Sequence, residues 1–278
     1  MITCNLMGGL GNQLFQIFTV IAYALENNND FYFVYSKSIG KRPSYWDTFF
    51  YPLKNKLVFS HSKIPVLREK GFHFTPLPPI QESIVLQGYF QSPKYFQKYK
   101  YQIAEMLMRA TEYKEKIIKK RFSFINREKT ISMHFRLGDY ASLQDYHPIL
   151  PMNYYKKSIQ EIVEKEKNDA WTILYFCEDS DFEKVDKGYI SHICTHFTKC
   201  EFIRVDSKIP DFFQMLMMSC CKNHIIANST FSWWGAYLNF SQEKIVCYPS
   251  LWFGPMLNQN NISDLIPEDE NWIKIAVD

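Results

Sequence analysis

Ile131-Ser132-Met133-His134-Phe135-Arg136-Leu137-Gly138-Asp139-Tyr140 reads as the end of a buried strand running into a turn. Thr130 to Phe135 is mostly apolar and follows a basic run, and Gly138 and Asp139 mark the turn. A strand of an open α/β sheet delivers its last residues to the carboxyl edge, where ligands bind. The residues delivered here are an imidazole, a guanidinium and a carboxylate. His134 and Arg136 are two apart, so on a strand they project to one face. Taken alone, the stretch permits either a salt bridge from Arg136 to Asp139 that closes a turn, or one side of an anion site.

Downstream, strand and helix signals alternate. Pro151 suits the first turn of a helix running to about Lys165, and Trp171–Phe176 reads as a strand. A helix or loop reaches to about Ile193, and Glu201–Val205 is the next strand. Pro210–Lys222 carries an apolar helical stripe, and His224–Ala227 is a strand. A helix from Thr230 through Asn239 and a strand at Lys244–Tyr248 complete the series. This spacing predicts βαβ units and a parallel, Rossmann-like sheet.

The upstream half is less regular. Ile2–Met7 is a short strand, Gly8-Gly9-Leu10-Gly11-Asn12-Gln13 turns the chain, and Leu14–Leu25 is an apolar helix that Asn12 could cap. Strand, glycine turn and helix bring backbone N–H groups toward a ligand. Leu14 holds the last glycine position of G-x-G-x-x-G, so this is not the dinucleotide fingerprint. Phe31–Tyr35 and Ile84–Gln87 are further strands. Helices are expected over Pro93–Arg109 and Thr111–Arg121, the basic Lys114–Arg121 cluster lying on a solvated face.

Composition narrows the function classes. With 46% hydrophobic and 22% charged residues, the 278-residue chain is folded and long enough for two domains. A net charge of +3 does not by itself point to nucleic acid or a membrane, though it allows a local basic pocket. The seven cysteines lack paired metal-type spacing and read as free thiols of a reducing compartment. His192, Cys194, His196 and Cys200 resemble a zinc cluster only loosely. The start of the chain has no basic region followed by an apolar leader core, and no run of ~20 apolar residues suits a membrane span.

Two more stretches end on reactive side chains at strand ends. Asn228, Ser229 and Thr230 follow a strand and open a helix, which is either an anion site or an ordinary cap before a packed Trp233–Trp234 pair. Glu178, Asp179 and Asp181 follow another strand. They admit three readings: an Asp-x-Asp metal site, a carboxylate that accepts hydrogen bonds from a nucleoside, or an acidic turn that caps a helix.

Four segments taken together resemble a known family. Gly8-Gly9-Leu10-Gly11-Asn12-Gln13-Leu14-Phe15-Gln16, Leu86-Gln87-Gly88-Tyr89-Phe90-Gln91-Ser92, His134-x-Arg136-x-Gly138-Asp139-Tyr140 and Ile226 through Ala236 look like the α-1,2-fucosyltransferases of glycosyltransferase family 11. The resemblance spans residues 8 to about 253. It implies a GT-B-type fold of two Rossmann-like domains, taken here as 1–128 on the acceptor side and 129–278 on the donor side. It further implies GDP-β-L-fucose as donor, inversion at the anomeric carbon, no required metal or cofactor, and a galactose-terminated acceptor glycan modified at O2. By the same resemblance Arg136 holds the pyrophosphate, His134 lies against the nucleotide, Asp179 binds guanine, and Ser229 and Thr230 bind phosphate. Asn228, Gly9, Gly11 and Asn12 are also assigned to the donor, and Arg136 and Asp139 to catalysis, with Asp139 either general base or orienter of Arg136. The family often shows Phe-Ser-Asp-Asp where this chain has Phe176-Cys177-Glu178-Asp179, which leaves Glu178 without an assigned role.

The physical argument runs parallel. A departing nucleoside diphosphate needs its charge neutralised. An always-charged guanidinium with a helix N-terminus can supply what a cation supplies elsewhere. The expected location is the cytoplasm, free or peripheral to a membrane where acceptors are assembled. The rival readings are a transferase for another GDP-sugar or linkage, a non-catalytic nucleotide- or glycan-binding module, and a metal-dependent hydrolase built on His192, Cys194 and His196.

Overall fold

The computed structural model describes residues 1–60, 63–80, 82–107, 127–257, 262–268 and 271–278. The chain divides into two compact units, Met1–Glu115 with Asn260–Glu268, and Lys116–Gln259 with Asp269–Asp278. Ile262–Glu268, which the sequence reading leaves with the second domain, therefore groups with the first, where Asp264 accepts from Phe74 N–H and Lys94 Nζ. The helix expected over Thr111–Arg121, and its basic cluster, lie outside the described residues.

In the first unit, strands β1 (Ile2–Cys4), β2 (Val66–Arg68) and β3 (Ile84–Gln87) form a parallel sheet in the order β1-β3-β2. A parallel bridge from Ile2 to Phe31 leads on the other side of β1 toward a second parallel pair, Phe33–Val34 with Leu57–Val58. Helix α1 spans Leu10–Glu26 and begins four residues earlier than expected, with Gly9 rather than Asn12 at its N-cap. Its apolar residues are buried almost all round, so burial of Leu10 decides where the helix starts, and Asn12 falls inside the first turn. The expected Pro93–Arg109 helix is two 3₁₀ turns followed by α2 (Lys100–Leu107). Its last two residues lie outside the described ones.

The second unit carries a six-stranded sheet, all parallel. Its strands are β4 (Thr130–His134), β5 (Thr172–Phe176), β6 (Glu201–Arg204), β7 (Asn223–Ile225), β8 (Val246–Pro249) and β9 (Trp272–Ile275). Their order is β6-β5-β4-β7-β8-β9. Counted within the unit this is 3-2-1-4-5-6, the order of Rossmann sheets, with the topological switch between β4 and β7. Alternation along β5 shows both faces covered, as a parallel sheet requires. Ile173 and Tyr175 join one core cluster with Tyr154, Tyr155, Ile159 and Ile162 of α3 (Met152–Glu166). Leu174 and Phe176 join another with Met217 and Met218 of α4 (Asp211–Met218). The opening turn of α3 also reaches the switch. Tyr155 Oη donates to the His134 carbonyl at 3.3 Å, and Tyr154 Oη to the carbonyls of Ile226 (2.5 Å) and Cys247 (3.1 Å). Two buried phenols thus reach the carbonyls of His134 and Ile226 at and just beyond the strand ends, and Tyr154 shares the Cys247 carbonyl with the Ile226 N–H. No helix among the described residues is long and apolar enough to cross a membrane.

Candidate functional site

The switch between β4 and β7 brings two of the expected segments together. His134 is the last residue of β4, and the chain leaving β7 passes through Asn228 to Ser229, the N-cap of α5 (Thr230–Tyr237). The His134 and Phe231 rings stand 5.5 Å apart across this gap. His134 is buried, and desolvation, with the Arg136 charge adding to it, lowers its pKa to about 3. The imidazole is therefore neutral at physiological pH, and its Nδ1 finds no hydrogen-bond partner among the described residues. A buried polar atom left unpaired costs roughly 1–3 kcal/mol, which a ligand's hydrogen bond would relieve.

Arg136 lies two residues beyond β4 and is gripped by two carboxylates. Its Nη1 donates to Glu178 and its Nη2 to Asp139 at 2.6 Å, with the guanidinium carbon 5.3 Å from the Tyr140 ring centre. Burial opposes the charge, but Glu178 and Asp139 outweigh it and raise the pKa. Gly138 makes the Glu178 contact possible. A Cβ there would sit 2.8 Å from Glu178 Oε2, and its φ of +21° suits glycine.

The acidic turn does not act as a unit. Glu178 turns to Arg136, whereas Asp179 accepts from Arg204 Nη2 (2.7 Å) and Ser207 Oγ (2.9 Å). Those contacts, Ser207 first and then Arg204, hold the Asp179 carboxyl below its ordinary pKa. Asp181, buried, accepts the Gly138 N–H at 2.7 Å. Asp179 and Asp181 therefore point to different partners rather than to a shared cation. Among the described residues no group of three His, Cys, Asp or Glu side chains could hold a metal. His196 instead meets Lys156 at 3.2 Å, and Cys194 and Cys200 donate to backbone carbonyls.

At the α5 start, Ser229 Oγ accepts the Phe231 N–H at 3.3 Å as a side-chain cap, and Thr230 is the first helical residue. Asn228 is buried, and its amide donates to the carbonyls of Pro148 (2.9 Å) and Trp252 (3.2 Å). Its own carbonyl accepts from Tyr140 Oη at 3.0 Å. Asn228 thus ties three loops at the carboxyl edge, its amide protons spent on protein.

The remaining expected residues lie in the first unit. Gly9 caps α1, Gly11 is buried in the first turn, and Asn12 accepts from Gln91 Nε2 at 3.1 Å. A Cβ at Gly8, where φ is +76°, would meet Asn12 Nδ2 at 2.4 Å. Gln13, at the end of the same turn, is fully buried and braces the loop by donating to the carbonyls of Gly8 (3.0 Å) and Pro43 (2.9 Å).

Sequence reasoning gave no role to Glu178, Tyr140 and Arg204, and read Asp181 only as part of an acidic turn or metal pair. A signal existed for the first. Arg136 and Glu178 stand one and two residues past the strands read at Thr130–Phe135 and Trp171–Phe176, so neighbouring parallel strands would set them near each other.

Comparison with known proteins agrees with the fold and the motifs. The family model "Glycosyl transferase family 11" matches residues 50–262. The O-antigen biosynthesis glycosyltransferase WbnK of Escherichia coli is 36% identical over 150 residues, covering 52% of this chain and 44% of that protein's length. An alpha-1,2-colitosyltransferase of Escherichia coli is 28% identical over 300 residues, covering 99% of this chain and 98% of that one. The crystal structure of a family 9 glycosyl transferase from Veillonella parvula aligns with 99% of this chain and 86% of its own, at a TM-score of 0.50 and 8% identity. At that identity the likeness concerns the fold alone, which is of the GT-B type.

Proposed function

The chain is a member of glycosyl transferase family 11, and from that premise we propose that it moves L-fucose from GDP-β-L-fucose to a hydroxyl of an acceptor glycan, O2 of a terminal galactose. One observation carries this reading. Arg136, two residues beyond β4, and the α5 start beyond β7 both follow the carboxyl ends of the neighbouring strands that flank the switch, where an α/β sheet binds its nucleotide. In the reaction the anomeric C1–O bond to the β-phosphate breaks and its electron pair leaves with GDP. A new bond forms from C1 to the acceptor oxygen on the opposite face, which inverts the centre, and the hydroxyl proton passes to a base. The transition state is oxocarbenium-like, by analogy with glycoside hydrolysis. Charge grows on the departing diphosphate, and Arg136 with the N–H groups of α5 is suited to meet it. Neutral His134 offers a hydrogen bond to the nucleotide through its unpartnered nitrogen. The contact of Asp139 with Arg136 supports an orienting role over that of base. Asp179, held by Arg204 and Ser207, remains the candidate for guanine. No metal is required by this scheme.

A second donor has a specific observation behind it. The relative matched over nearly the whole chain is named for colitose, the 3-deoxy counterpart of fucose. The two sugars differ by one hydroxyl, so the same diphosphate site serves either. Purified protein given GDP-fucose, GDP-colitose and GDP-mannose with a galactoside panel tests the proposal, by GDP release and linkage analysis of products. Release from GDP-fucose with an α-1,2 product is the expected outcome. Preference for GDP-colitose selects the second reading, and no release from any GDP-sugar overturns both.

A further inference from the structure

The chain's small net charge conceals a strong local imbalance in the first unit. Residues 33–63 contain six basic side chains (Lys37, Lys41, Arg42, Lys54, Lys56 and Lys63) and one acidic one, Asp47, for a net charge of +5. The whole chain carries +3, so everything outside this segment sums to −2. The segment contains the parallel pair Phe33–Val34 with Leu57–Val58 and buries apolar side chains of its own. Phe33, Tyr45, Trp46, Phe49, Phe50 and Leu53 are buried. Their rings touch, Phe33 to Trp46 at 5.3 Å, Trp46 to Phe50 at 5.4 Å and Phe49 to Phe50 at 5.5 Å. Its outer residues are therefore mounted on a packed frame.

What that frame presents is unusual for a surface meeting only water. Phe59 is 89% exposed and Tyr51 62% exposed. Phe59 touches Tyr35 edge-on at 6.1 Å, and Tyr35 N–H donates to the neighbouring Val58 carbonyl at 2.8 Å, so the Phe59 backbone is anchored while most of its ring faces outward. Lys54 Nζ lies 4.8 Å from the Tyr51 ring centre. Lys37, Lys41 and Arg42 are all exposed, on or beside the two-stranded hairpin Ser38–Ile39 with Arg42–Pro43. A polyanion such as nucleic acid would be met by the charge alone. Protruding Phe and Tyr rings among lysines match the headgroup layer of a bilayer, where aromatic rings enter the interface and cations stay with anionic headgroups.

We propose that the surface carried by residues 33–60 is a membrane-docking surface that seats the protein on an anionic lipid bilayer through Phe59 and Tyr51 and through the basic residues Lys37, Lys41, Arg42 and Lys54. Attraction of roughly 1 kcal/mol per basic residue, about five-fold in partitioning, is the ordinary size of this effect. It fades over a Debye length, ~10 Å at 0.1 M salt and ~3 Å at 1 M.

The test is co-sedimentation of the full-length protein with vesicles of phosphatidylcholine alone, or of phosphatidylcholine with phosphatidylglycerol. It is run at about 0.1 M and about 1 M sodium chloride, with heparin and duplex DNA as competing polyanions. Binding to the anionic vesicles only, released at high salt, is expected. The Lys37→Ser, Lys41→Ser double variant should weaken it about 25-fold, five-fold per lysine. Phe59→Ser should weaken it at about 0.1 M salt, where wild-type binding is measured. GDP release with a soluble acceptor should match wild type in both variants, which separates this inference from the fate of the donor site. No binding to anionic vesicles, equal binding to neutral ones, full displacement by heparin or DNA together with an unaffected Phe59→Ser, or wild-type binding by the double variant would each overturn it.

Discussion

Arg136 and Glu178 meet because each stands two residues beyond the last register pair of neighbouring parallel strands, His134 opposite Phe176. The Phe135 N–H continues the ladder by donating to the Phe176 carbonyl at 2.9 Å, which keeps the two exits aligned. The guanidinium is therefore aimed by the sheet itself, with Asp139 on the following turn holding its other nitrogen. Such preorganisation is what a charge-stabilising group needs, since it then pays no reorganisation during reaction.

Arg136→Ala should remove ~3 kcal/mol or more of transition-state stabilisation, on the scale of losing a preorganised donor. Arg136→Lys should recover little of it, because an ammonium has no planar fork to span two carboxylates and a diphosphate at once. GDP release kinetics decide the matter. Near-wild-type kcat/KM in either variant would remove Arg136 from the chemistry.

Glu178→Ala should lower kcat/KM by about ten-fold, a charge-assisted bond reduced for its partial exposure. Gly138→Ala should reproduce that loss with Glu178 intact, since the new methyl would occupy the space 2.8 Å from Glu178 Oε2. Circular dichroism would establish that both proteins remain folded. Combined with Asp139→Ala, Glu178→Ala should be non-additive, because both act through one guanidinium. Strict additivity would mean the two carboxylates serve separate ends.

Much of the second unit was legible because its strands are short apolar runs bounded by polar turns, and Thr130–Phe135, Trp171–Phe176 and Glu201–Val205 are each within a residue of the observed limits. β2 and β9 escaped notice. Both are edge strands with largely half-exposed or exposed patterns, so neither carries a period-2 signature. The start of α1 was misplaced because Asn12 has the chemistry of a cap, while the tertiary burial of Leu10 is invisible to local pattern. The site split the same way. Residue types at strand ends were readable, but which strands are neighbours was not, and that neighbourhood brings Glu178 to Arg136 and sends Asp179 to Arg204.

Tyr140→Phe separates two duties of one side chain. The hydroxyl donates to the Asn228 carbonyl at 3.0 Å, and the ring lies against both Arg136 and His147, the latter stacked at 4.9 Å. Burial pushes the phenol up to about 12, so it stays a donor across the working range. Phe should cost ~1 kcal/mol of stability for the lost hydrogen bond while keeping most activity. Leu, which also removes the ring beneath Arg136, should raise the KM for the donor as well. Equal effects of Phe and Leu on that KM would show that the ring does not position the guanidinium.

His134 should leave a mark on the pH dependence of stability. Its folded pKa of about 3 lies below the ordinary value of 6.5, so the unfolded chain binds the proton first as acid is added. Above ~6.5 both states are neutral and the group contributes nothing to the slope. Between ~6.5 and ~3 only the unfolded state is protonated, and stability should fall with falling pH by up to ~1.4 kcal/mol per unit from this residue. His134→Gln keeps a neutral polar side chain that cannot take the proton, so its acid limb should be shallower by about that amount. Urea unfolding of both proteins at several pH values measures the difference directly, with carboxylate contributions common to both. Parallel limbs would mean that the imidazole is solvated well enough to ionise in the native state, and that the neutral histidine at the β4–β7 switch is not what faces the nucleotide.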